Sequence, residues 1–341
     1  MVKYNILITG VAGFIGFHVA KKLMNRNHKV IGLDNINDYY DVNLKKNRLK
    51  ELKKYSKYRK LNFNFKKIDL VNKKSIKNLF KNNKINIVIH LAAQAGVRYS
   101  ISHPEKYVNS NLIGFCNLIE VSKNFKIKHF LYASSSSVYG LNKKIPFSEN
   151  DHVDHPIQFY AATKRSNELI AHAYSSLFKL PTTGMRFFTV YGPWGRPDMA
   201  LFNFTNKIIK NDKINVFNHG NHKRDFTYVE DVAEAVKQIC FKTPKNSSNK
   251  LLNPSISPHS FRIINIGNGK SEKLMSYIGL IEKFLNKKAK INFISKQPGD
   301  IEETMSSTKN LRKLINLKKG TKIEDGVKKF VDWYIEYYGA K

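Results

Sequence analysis

A glycine-rich junction near the start of the chain constrains the fold more than any other feature. The apolar run at residues 5–9 leads directly into a Gly-x-x-Gly-x-x-Gly spacing formed by Gly10, Gly13 and Gly16, and an amphipathic helical pattern follows. Gly10 permits a tight turn, Gly13 lets backbone amides approach a pyrophosphate, and Gly16 allows a helix to pack closely on a strand. The junction therefore predicts a βαβ unit that binds a dinucleotide.

Short β-branched runs alternate with amphipathic stretches over the first half of the chain. Strands are predicted at 5–9, 29–33, 63–68, 85–91, 129–133 and 182–187, and helices at 14–25, 42–55, 73–81, 105–123 and 158–178. This alternation predicts an α/β, doubly wound (Rossmann) fold with a parallel sheet and right-handed crossovers. After residue 188 the rhythm gives way to glycine- and proline-rich loops. We therefore expect a nucleotide-binding domain over 1–188 that carries the catalytic residues. A smaller mixed α/β substrate-binding region should occupy 189–341, with some segments returning to the first domain.

An acidic residue follows the second predicted strand. A carboxylate at the position of Asp34 accepts hydrogen bonds from the adenosine ribose and repels a 2′-phosphate, so the sequence predicts NAD rather than NADP. Phe14 and Ile15, which lie between Gly13 and Gly16, belong to the same predicted cofactor site. The alternative is an ordinary tight turn followed by a capping aspartate.

A serine run and a tyrosine–lysine pair form the candidate catalytic group. Ser135 lies in a run of four serines after the fifth predicted strand, and Tyr160 and Lys164 lie four residues apart in a helical pattern. That spacing puts the phenol and the ammonium group on one helical face. Because a nearby cation lowers the pKa of a phenol from its usual value of about 10, we expect Tyr160 to act as a base. With Ser135 bonded to the same oxygen, the group suits reversible oxidation of a sugar hydroxyl by NAD.

Together these motifs resemble the extended short-chain dehydrogenase/reductase family, in its NAD-dependent epimerase/dehydratase branch. The resemblance covers nearly the whole chain. It implies that Asn111 supports the structure of the site and its catalysis. Besides the glycine turn and the tyrosine–lysine pair, the cofactor contacts that it implies are Asp69, Leu70, Leu91, Ala92 and Ala93.

The resemblance also implies a substrate, a UDP-sugar. Arg224 corresponds to the arginine that binds the UDP phosphates, and Asp300 to an acidic residue on the uridine side. The segments 94–100 and 186–200 are similar to those of 4-epimerases that act on UDP-glucuronate, whereas UDP-glucose 4-epimerases have an asparagine where Thr189 stands. The expected reaction converts UDP-glucuronate to UDP-galacturonate by C4 oxidation, rotation of the 4-keto sugar and re-reduction.

The positions after the candidate serine favour epimerisation over related reactions. Dehydratases and UDP-glucuronate decarboxylases of the family place an acidic residue there, but this chain has Ser136 and Ser137. The hydroxyl groups can instead donate to a sugar carboxylate. The residues expected to contact that carboxylate are Ser135, Ser136, Ser137 and Thr189, with Arg196 or Arg98 nearby. For both arginines, phosphate binding or a structural ion pair is the alternative.

Two other functions remain open on the sequence alone. The first is a sister 4-epimerase that acts on UDP-glucose or on an N-acetylated UDP-hexosamine, and a panel of substrates would distinguish it. The second is a non-catalytic NAD- or RNA-binding protein. That protein would work without Tyr160, and its affinity for nucleic acid would fall steeply with salt.

The net charge of +33 raises the question of a nucleic-acid partner. The lysines are scattered over the predicted surface helices without a recognition motif, so we expect no nucleic-acid binding, and a positive field that attracts an anionic sugar nucleotide. No apolar run or signal sequence indicates a membrane partner or export, so a cytoplasmic enzyme is expected. Cys116 and Cys240 have no metal-ligand spacing, and no metal is expected. The family resemblance implies a homodimer joined through helices 105–123 and 158–178.

Overall fold

A computed structural model of the chain describes residues 3–24, 28–246, 253–297, 299–317 and 319–339. The strands of the first half are β1 (Asn5–Thr9), β2 (Lys29–Asp34), β3 (Phe63–Lys67), β4 (Ile87–His90), β5 (His129–Ser135) and β6 (Thr182–Phe187). Those of the second half are β7 (Thr189–Tyr191), β8 (Lys213–Phe217), β9 (Lys223–Arg224), β10 (Phe226–Tyr228), β11 (Phe261–Ile266), β12 (Glu272–Lys273) and β13 (Lys290–Ile294). Seven strands form one parallel sheet in the order β11-β6-β5-β4-β1-β2-β3.

Helices cover both faces of this sheet. In chain order the α-helices of the described residues are α1 (Phe14–Met24), α2 (Val42–Tyr58), α3 (Lys73–Lys81), α4 (Tyr99–Ser102), α5 (Pro104–Tyr107), α6 (Gly114–Asn124), α7 (Phe159–Phe178), α8 (Ala200–Ile209), α9 (Val229–Cys240), α10 (Leu274–Leu285), α11 (Lys309–Leu314) and α12 (Ile323–Tyr338). Of these, α8, α10 and α12 pack in the second half of the chain and not on the sheet. Along β1, Ile6 and Ile8 pack with α1, α2 and α9, whereas Leu7 packs with α3, α6 and α7. Both faces are therefore buried at the centre of the sheet, which explains why β1 and β4 are almost continuous apolar runs.

The predicted doubly wound fold is confirmed, and each of the six predicted strands is present. The predicted helix over 105–123 is present as one unbroken helical stretch, but between α5 and α6 it is wound as a π-helix (Val108–Ile113), which the sequence analysis did not predict. The sheet gains β11, which the sequence analysis did not predict. The predicted end of the first helix, residue 25, lies outside the described residues.

The second half of the chain forms a region beside the carboxyl edge of the sheet. Its small sheets pair β10 with β7, β12 with β9 and β13 with β8. Its core is rich in aromatic side chains, which come from β7, α8, β10, α10 and α12. Three later elements, α9, β11 and α11, lie with the central sheet instead. The division at residue 188 stays a prediction. Of the helices within the described ranges, none has the length and apolar character needed to span a membrane.

Candidate active site

A large cleft lies where the carboxyl ends of the sheet strands meet the second half of the chain. Its volume is about 1090 Å³, which is above the range of roughly 300–1,000 Å³ common for single-ligand pockets. Its walls include Gly10 after β1, Asp34 at the end of β2, Leu91 after β4 and Ser135 at the end of β5. Ligands of doubly wound sheets bind at this edge.

The glycine turn forms one end of the cleft. Gly10 has φ of +72°, and a Cβ atom there would lie 2.7 Å from the amide nitrogen of Ala92. A Cβ atom on Gly16 would lie 2.1 Å from the carbonyl oxygen of Gly10. Any larger residue at either position would force the turn apart. The helix α1 begins at Phe14, so its unpaired N-terminal amides lie beside the cleft, where an anion is favoured.

Asp34 is held in place by backbone donors. Its two carboxylate oxygens accept hydrogen bonds from the amides of Ala12 (3.0 Å) and Ile36 (2.8 Å). Burial raises the pKa of this carboxyl group, and the hydrogen bond from Ile36, the charge of Lys45 and the bond from Ala12 act in the opposite direction. The carboxylate is thus fixed at the strand end, in a position where ribose hydroxyls could donate to it.

All the predicted cofactor-binding residues line this one cleft. They are Gly10, Gly13, Phe14, Ile15, Gly16, Asp34, Asp69, Leu70, Leu91, Ala92, Ala93, Tyr160 and Lys164. Their roles in binding stay predictions. The sequence analysis missed Asn35, whose amide donates to Asp69 (2.8 Å), and Tyr39 and Lys45 of the same wall. Asn35 directly follows the end of β2, and that position alone could have indicated a ligand contact.

The candidate catalytic group is brought together in the middle of the cleft. Ser135 ends β5, and Tyr160 lies in the first turn of α7, one helical turn before Lys164. The Lys164 ammonium is buried and donates to the carbonyl oxygen of Ala133 (3.1 Å); it lies 6.0 Å from the centre of the Tyr160 ring. The Ser135 hydroxyl accepts a hydrogen bond from the Ser137 amide (3.2 Å). The arrangement therefore places two groups that can carry a proton, the Tyr160 phenol and the Lys164 ammonium, in the wall of one binding cleft.

The predicted lowering of the Tyr160 pKa is wrong for the protein alone. Burial raises the pKa of the phenol, and the hydrogen bond with Ser135 and the charge of Arg196 only partly offset this effect. Lys164 turns its ammonium to a backbone carbonyl, and burial lowers its own pKa to about 8. The phenol is therefore a proton donor and acceptor that needs additional positive charge before it ionises near neutral pH.

Asn111 lies outside the cleft wall, in the π-helical segment. Its side chain accepts from the Gln94 amide (2.8 Å) and donates to the Gln94 carbonyl (3.1 Å) and to the Thr163 hydroxyl (3.1 Å). The Thr163 hydroxyl donates in turn to the Tyr160 carbonyl (2.8 Å). Asn111 thus links the loop after β4 to the first turn of α7, and π-helical turns are frequent at such sites.

The predicted substrate residues line the same cleft. They are Arg98, Ser135, Ser136, Ser137, Thr189, Arg196, Arg224 and Asp300. Arg98 and Asp300 pair with each other (3.2 Å). Arg224 donates to the Glu302 carbonyl (2.9 Å), and burial lowers the pKa of its guanidinium.

Arg196 forms an ion pair with Asp198 through two hydrogen bonds, one of them Nε to Oδ1 (3.0 Å). The pair lies in the cleft wall near Tyr39, whose hydroxyl donates to Asp198 (3.3 Å). A substrate anion would therefore compete with Asp198 for this guanidinium. The sequence analysis missed Asp198.

A face of α8 also escaped the sequence analysis. Ala200, Asn203, Phe204 and Lys207 all line the cleft. Their spacing of three and four residues places them on one helical face, and this periodicity was available in the sequence. The signal was hidden because apolar and polar residues share that face.

A buried ion pair supports the catalytic group from behind. Glu168, one turn beyond Lys164, accepts from Arg186 at 2.8 and 2.9 Å and from the Ser134 hydroxyl at 2.6 Å. Neither charged side chain is exposed to solvent. The charge and hydrogen bonds of Arg186 hold the pKa of Glu168 below its usual range despite burial. The pair joins α7 to β5 and β6, the three elements that carry the site.

The described ranges contain no group of three or more histidine, cysteine, aspartate or glutamate residues arranged to hold a metal ion.

The parallel sheet, the glycine turn and the grouping of Ser135, Tyr160 and Lys164 define a dinucleotide-dependent enzyme of the short-chain dehydrogenase/reductase type. Residues 6–253 match the model of the "NAD dependent epimerase/dehydratase family". The chain belongs to this family, as the sequence resemblance indicated.

Relatives of known name agree with this assignment. The chain is 52% identical to "Protein CapI" of Staphylococcus aureus over 98% of this chain and 99% of that one. It is 42% identical to "Probable UDP-glucuronate 4-epimerase" of Rhizobium meliloti, with 97% of each covered. The crystal structure of UDP-glucuronic acid 4-epimerase from Bacillus cereus, in complex with UDP-glucuronic acid and NAD, matches with a TM-score of 0.85 at 30% identity, covering 98% of this chain and 100% of that one.

Proposed function

We propose that the chain is an NAD-dependent 4-epimerase that interconverts UDP-glucuronate and UDP-galacturonate. The observation that carries the proposal is the position of Tyr160, Ser135 and Lys164 between the glycine turn and a second wall that presents Thr189 and Arg196. The relatives named for this activity cover nearly the whole chain, which supports the same conclusion.

The cofactor end of the cleft fits NAD. The glycine turn leaves room for a pyrophosphate at the start of α1, and Asp34 presents a fixed carboxylate to the adenosine ribose. Bound NAD supplies the hydride acceptor and donor for carbon 4 of the sugar. Tyr160 and Lys164 line the same cleft, so the positive charge of an oxidised nicotinamide bound there would favour ionisation of the Tyr160 phenol.

The proton of the sugar C4 hydroxyl is assigned to Tyr160. As a phenolate, Tyr160 takes that proton during oxidation and becomes the phenol, and the phenol returns the proton when the other face of the 4-keto sugar is reduced. Ser135 donates to the same sugar oxygen and holds it next to the phenol. The hydrogen bond to the Ala133 carbonyl fixes the position of the Lys164 ammonium. In this position Lys164 keeps the phenol and the ribose side of the site aligned with each other.

The sugar carboxylate is assigned to Thr189, the serine hydroxyls and Arg196. A 4-keto glucuronate is a β-keto acid, so it loses CO₂ when the breaking bond aligns with the carbonyl π system. Several donors that hold the carboxylate out of this alignment would protect the intermediate. Ser136 and Ser137, at the positions where dehydratases and decarboxylases of the family have an acidic residue, leave no carboxylate to promote elimination.

Turnover of a substrate panel tests the proposal. We expect purified enzyme to convert UDP-glucuronate to UDP-galacturonate, with the products separated by ion-exchange chromatography and no UDP-pentose formed. Conversion of UDP-glucose or a UDP-N-acetylhexosamine without conversion of UDP-glucuronate would establish the sister activity instead. Formation of UDP-pentose would make the chain a decarboxylase.

We further propose a homodimer that uses the faces of α6 and α7. Ile113, Leu169, Leu177 and Phe178 leave 41%, 56%, 72% and 46% of their surface exposed, which is unusual for a run of large apolar side chains. A Leu177→Glu variant should elute as a monomer in size-exclusion chromatography with light scattering. Ile256→Glu, at a site 41% exposed elsewhere, is the control. Equal masses for both variants would exclude this interface.

Two expectations from the sequence stay predictions. The cytoplasmic location is tested by cell fractionation, and the lack of nucleic-acid binding by filter binding at low salt, where the net charge of +33 favours non-specific contacts most.

A further inference from the structure

Three consecutive carbonyl groups precede Arg196, and all three accept hydrogen bonds from side chains of α1 and α2. The Pro193 oxygen accepts from His18 Nε2 (3.0 Å). The Trp194 oxygen accepts from Arg48 Nε (3.2 Å) and Nη2 (2.6 Å), and the Gly195 oxygen accepts from Arg48 Nη2 (3.1 Å). The loop that carries Arg196 is thus attached to helices of the cofactor half.

Arg48 reaches the glycine turn with its remaining nitrogen. Nη1 donates to the Ala12 carbonyl (2.9 Å) and to the Tyr40 hydroxyl (2.7 Å), and the side chain is fully buried. Ala12 is also the residue whose amide donates to Asp34. One residue of the cofactor turn, Ala12, is therefore fixed through its N–H by the Asp34 carboxylate and through its C=O by Arg48.

None of these acceptors of Arg48 is a carboxylate. Burying a guanidinium costs desolvation free energy, and hydrogen bonds to carbonyl and hydroxyl oxygens offset less of that cost than a direct ion pair would. We therefore infer that Arg48 serves to hold these backbone groups in a fixed geometry. Trp194 has φ of +62°, a conformation that side-chain-bearing residues adopt only when their surroundings impose it. The two bonds from Arg48 to the Trp194 oxygen supply that constraint.

We propose that Arg48, assisted by His18, is a positioning residue that sets the place of Arg196 relative to the NAD turn, and that it thereby gives the site its affinity for a sugar carboxylate. The proposal rests on the proposed function, because it assigns Arg196 to that carboxylate. Neither Arg48 nor His18 touches the ligand space itself.

Arg48→Lys keeps the positive charge but cannot reach three carbonyl groups, because lysine has a single nitrogen. The control is Arg59→Lys, an exposed arginine at the end of the same helix. Hydrogen–deuterium exchange of peptides that cover residues 192–198 should be at least fivefold faster in Arg48→Lys than in the control. Unchanged exchange would overturn the proposal, whichever sugar the enzyme uses.

Ligand affinity gives the second measurement. In a Tyr160→Phe background that prevents turnover, NAD-saturated Arg48→Lys should bind UDP-glucuronate about tenfold more weakly, as expected for a lost charged hydrogen bond, and bind UDP within twofold of the control. Arg196→Met should produce the same selective loss, and the double variant no further loss. Equal losses for both ligands, or additive losses, would mean that Arg48 is merely structural and would overturn the proposal.

His18→Gln provides an independent variant if Arg48→Lys folds poorly. It keeps a donor for only one of the two histidine partners, Pro193 and Glu230, so we expect the same selectivity with about a threefold loss for UDP-glucuronate. If the parent protein binds UDP-glucuronate no better than UDP, the proposed substrate is wrong. The exchange measurement then still decides whether Arg48 holds the loop.

Discussion

The central sheet and the second half of the chain are built from different side chains. The sheet buries Ile, Leu and Val on both faces, whereas the core of the other region consists largely of Tyr, Phe and Trp from short strands and from α8, α10 and α12. The strands of the sheet pair with one another over four to six residues. In the other region β13 and β8 pair over five residues, but β10 and β7 over three and β12 and β9 over two. A region with few ladder bonds needs large side chains to bury enough apolar area. The structure of the second half of the chain therefore depends on particular long-range side-chain contacts. The structure of the sheet depends on a pattern of apolar residues that repeats from strand to strand.

The largest effect is expected where the two regions meet, at the phenol. Tyr160→Phe should lower kcat with UDP-glucuronate by a factor of about 10² to 10⁴, because the C4 proton loses its acceptor. The unfolding midpoint should stay within error, because the hydroxyl is not part of either core. Tyr58→Phe, at a site 83% exposed on α2, is the control. Normal turnover by Tyr160→Phe would favour the non-catalytic alternative.

The sequence predicted the features of the sheet half better than those of the second half, because the two regions depend on different kinds of contact. The glycine turn, Asp34, Ser135, Tyr160 and Lys164 were all predictable because strand, turn and helix signals are local. The pairing of β8 with β13 joins residues 213–217 to 290–294, and no local pattern specifies such a partner. The π-helical segment was missed for another reason: it has ordinary helical periodicity, and its extra residue is set by the bonds of Asn111 to the loop after β4.

Each of the two regions contains a buried carboxylate. We expect the free energy of unfolding to fall by different amounts when the partners of each carboxylate are removed. In the sheet half, Arg186→Met leaves Glu168 buried with only Arg165 and Ser134 beside it. Removing one partner of a buried pair costs about 3–5 kcal/mol, so the free energy of unfolding should fall by that amount. Chemical denaturation checks this, with Arg59→Met as the exposed control. A loss below about 1 kcal/mol would show that the carboxyl group becomes neutral at little cost.

In the other half the buried carboxylate of Asp225 forms no salt bridge with any lysine or arginine that the structure describes. Asp225 accepts from the amides of Asn268 (2.8 Å), Gly269 (2.9 Å) and Ser306 (2.9 Å), and from the Thr227 hydroxyl (3.1 Å). Asp225→Asn turns an NH₂ group toward some of these donors, so we expect a loss of about 1–3 kcal/mol in the free energy of unfolding.

Asp225→Asn should also change ligand binding, because Asp225 directly follows Arg224 in the chain. UDP affinity should fall with Asp225→Asn while NAD affinity stays unchanged, which calorimetry with each ligand would measure. A matched fall in both affinities would contradict the separation of the two regions.

The buried ammonium of Lys164 predicts a pH dependence within the sheet half. Burial places its pKa at about 8, against about 10.5 in the unfolded chain. Between these values the unfolded chain binds the proton and the folded chain does not, so the free energy of unfolding rises with pH through this window. For the NAD-free protein we expect Lys164→Met to lose about 2 kcal/mol of the rise between pH 7.5 and 9.5. Parallel profiles for the two proteins would refute this. The wild-type slope also contains Lys45, whose pKa is likewise about 8, and the variant retains that share.

The smallest effect on stability is expected for an exposed ion pair whose separation is similar to that of the buried pair between Arg186 and Glu168. Lys328 and Asp332 of α12 approach to 2.7 Å, and Arg186 and Glu168 to 2.8 Å. The first pair leaves more than half of each side chain exposed, and the second leaves none. Water screens the exposed charges and solvates either one when its partner is removed, so Lys328→Ala should change the free energy of unfolding by no more than about 0.5 kcal/mol. A loss near that of Arg186→Met, measured by the same denaturation, would mean that separation rather than burial governs ion pairs in this protein.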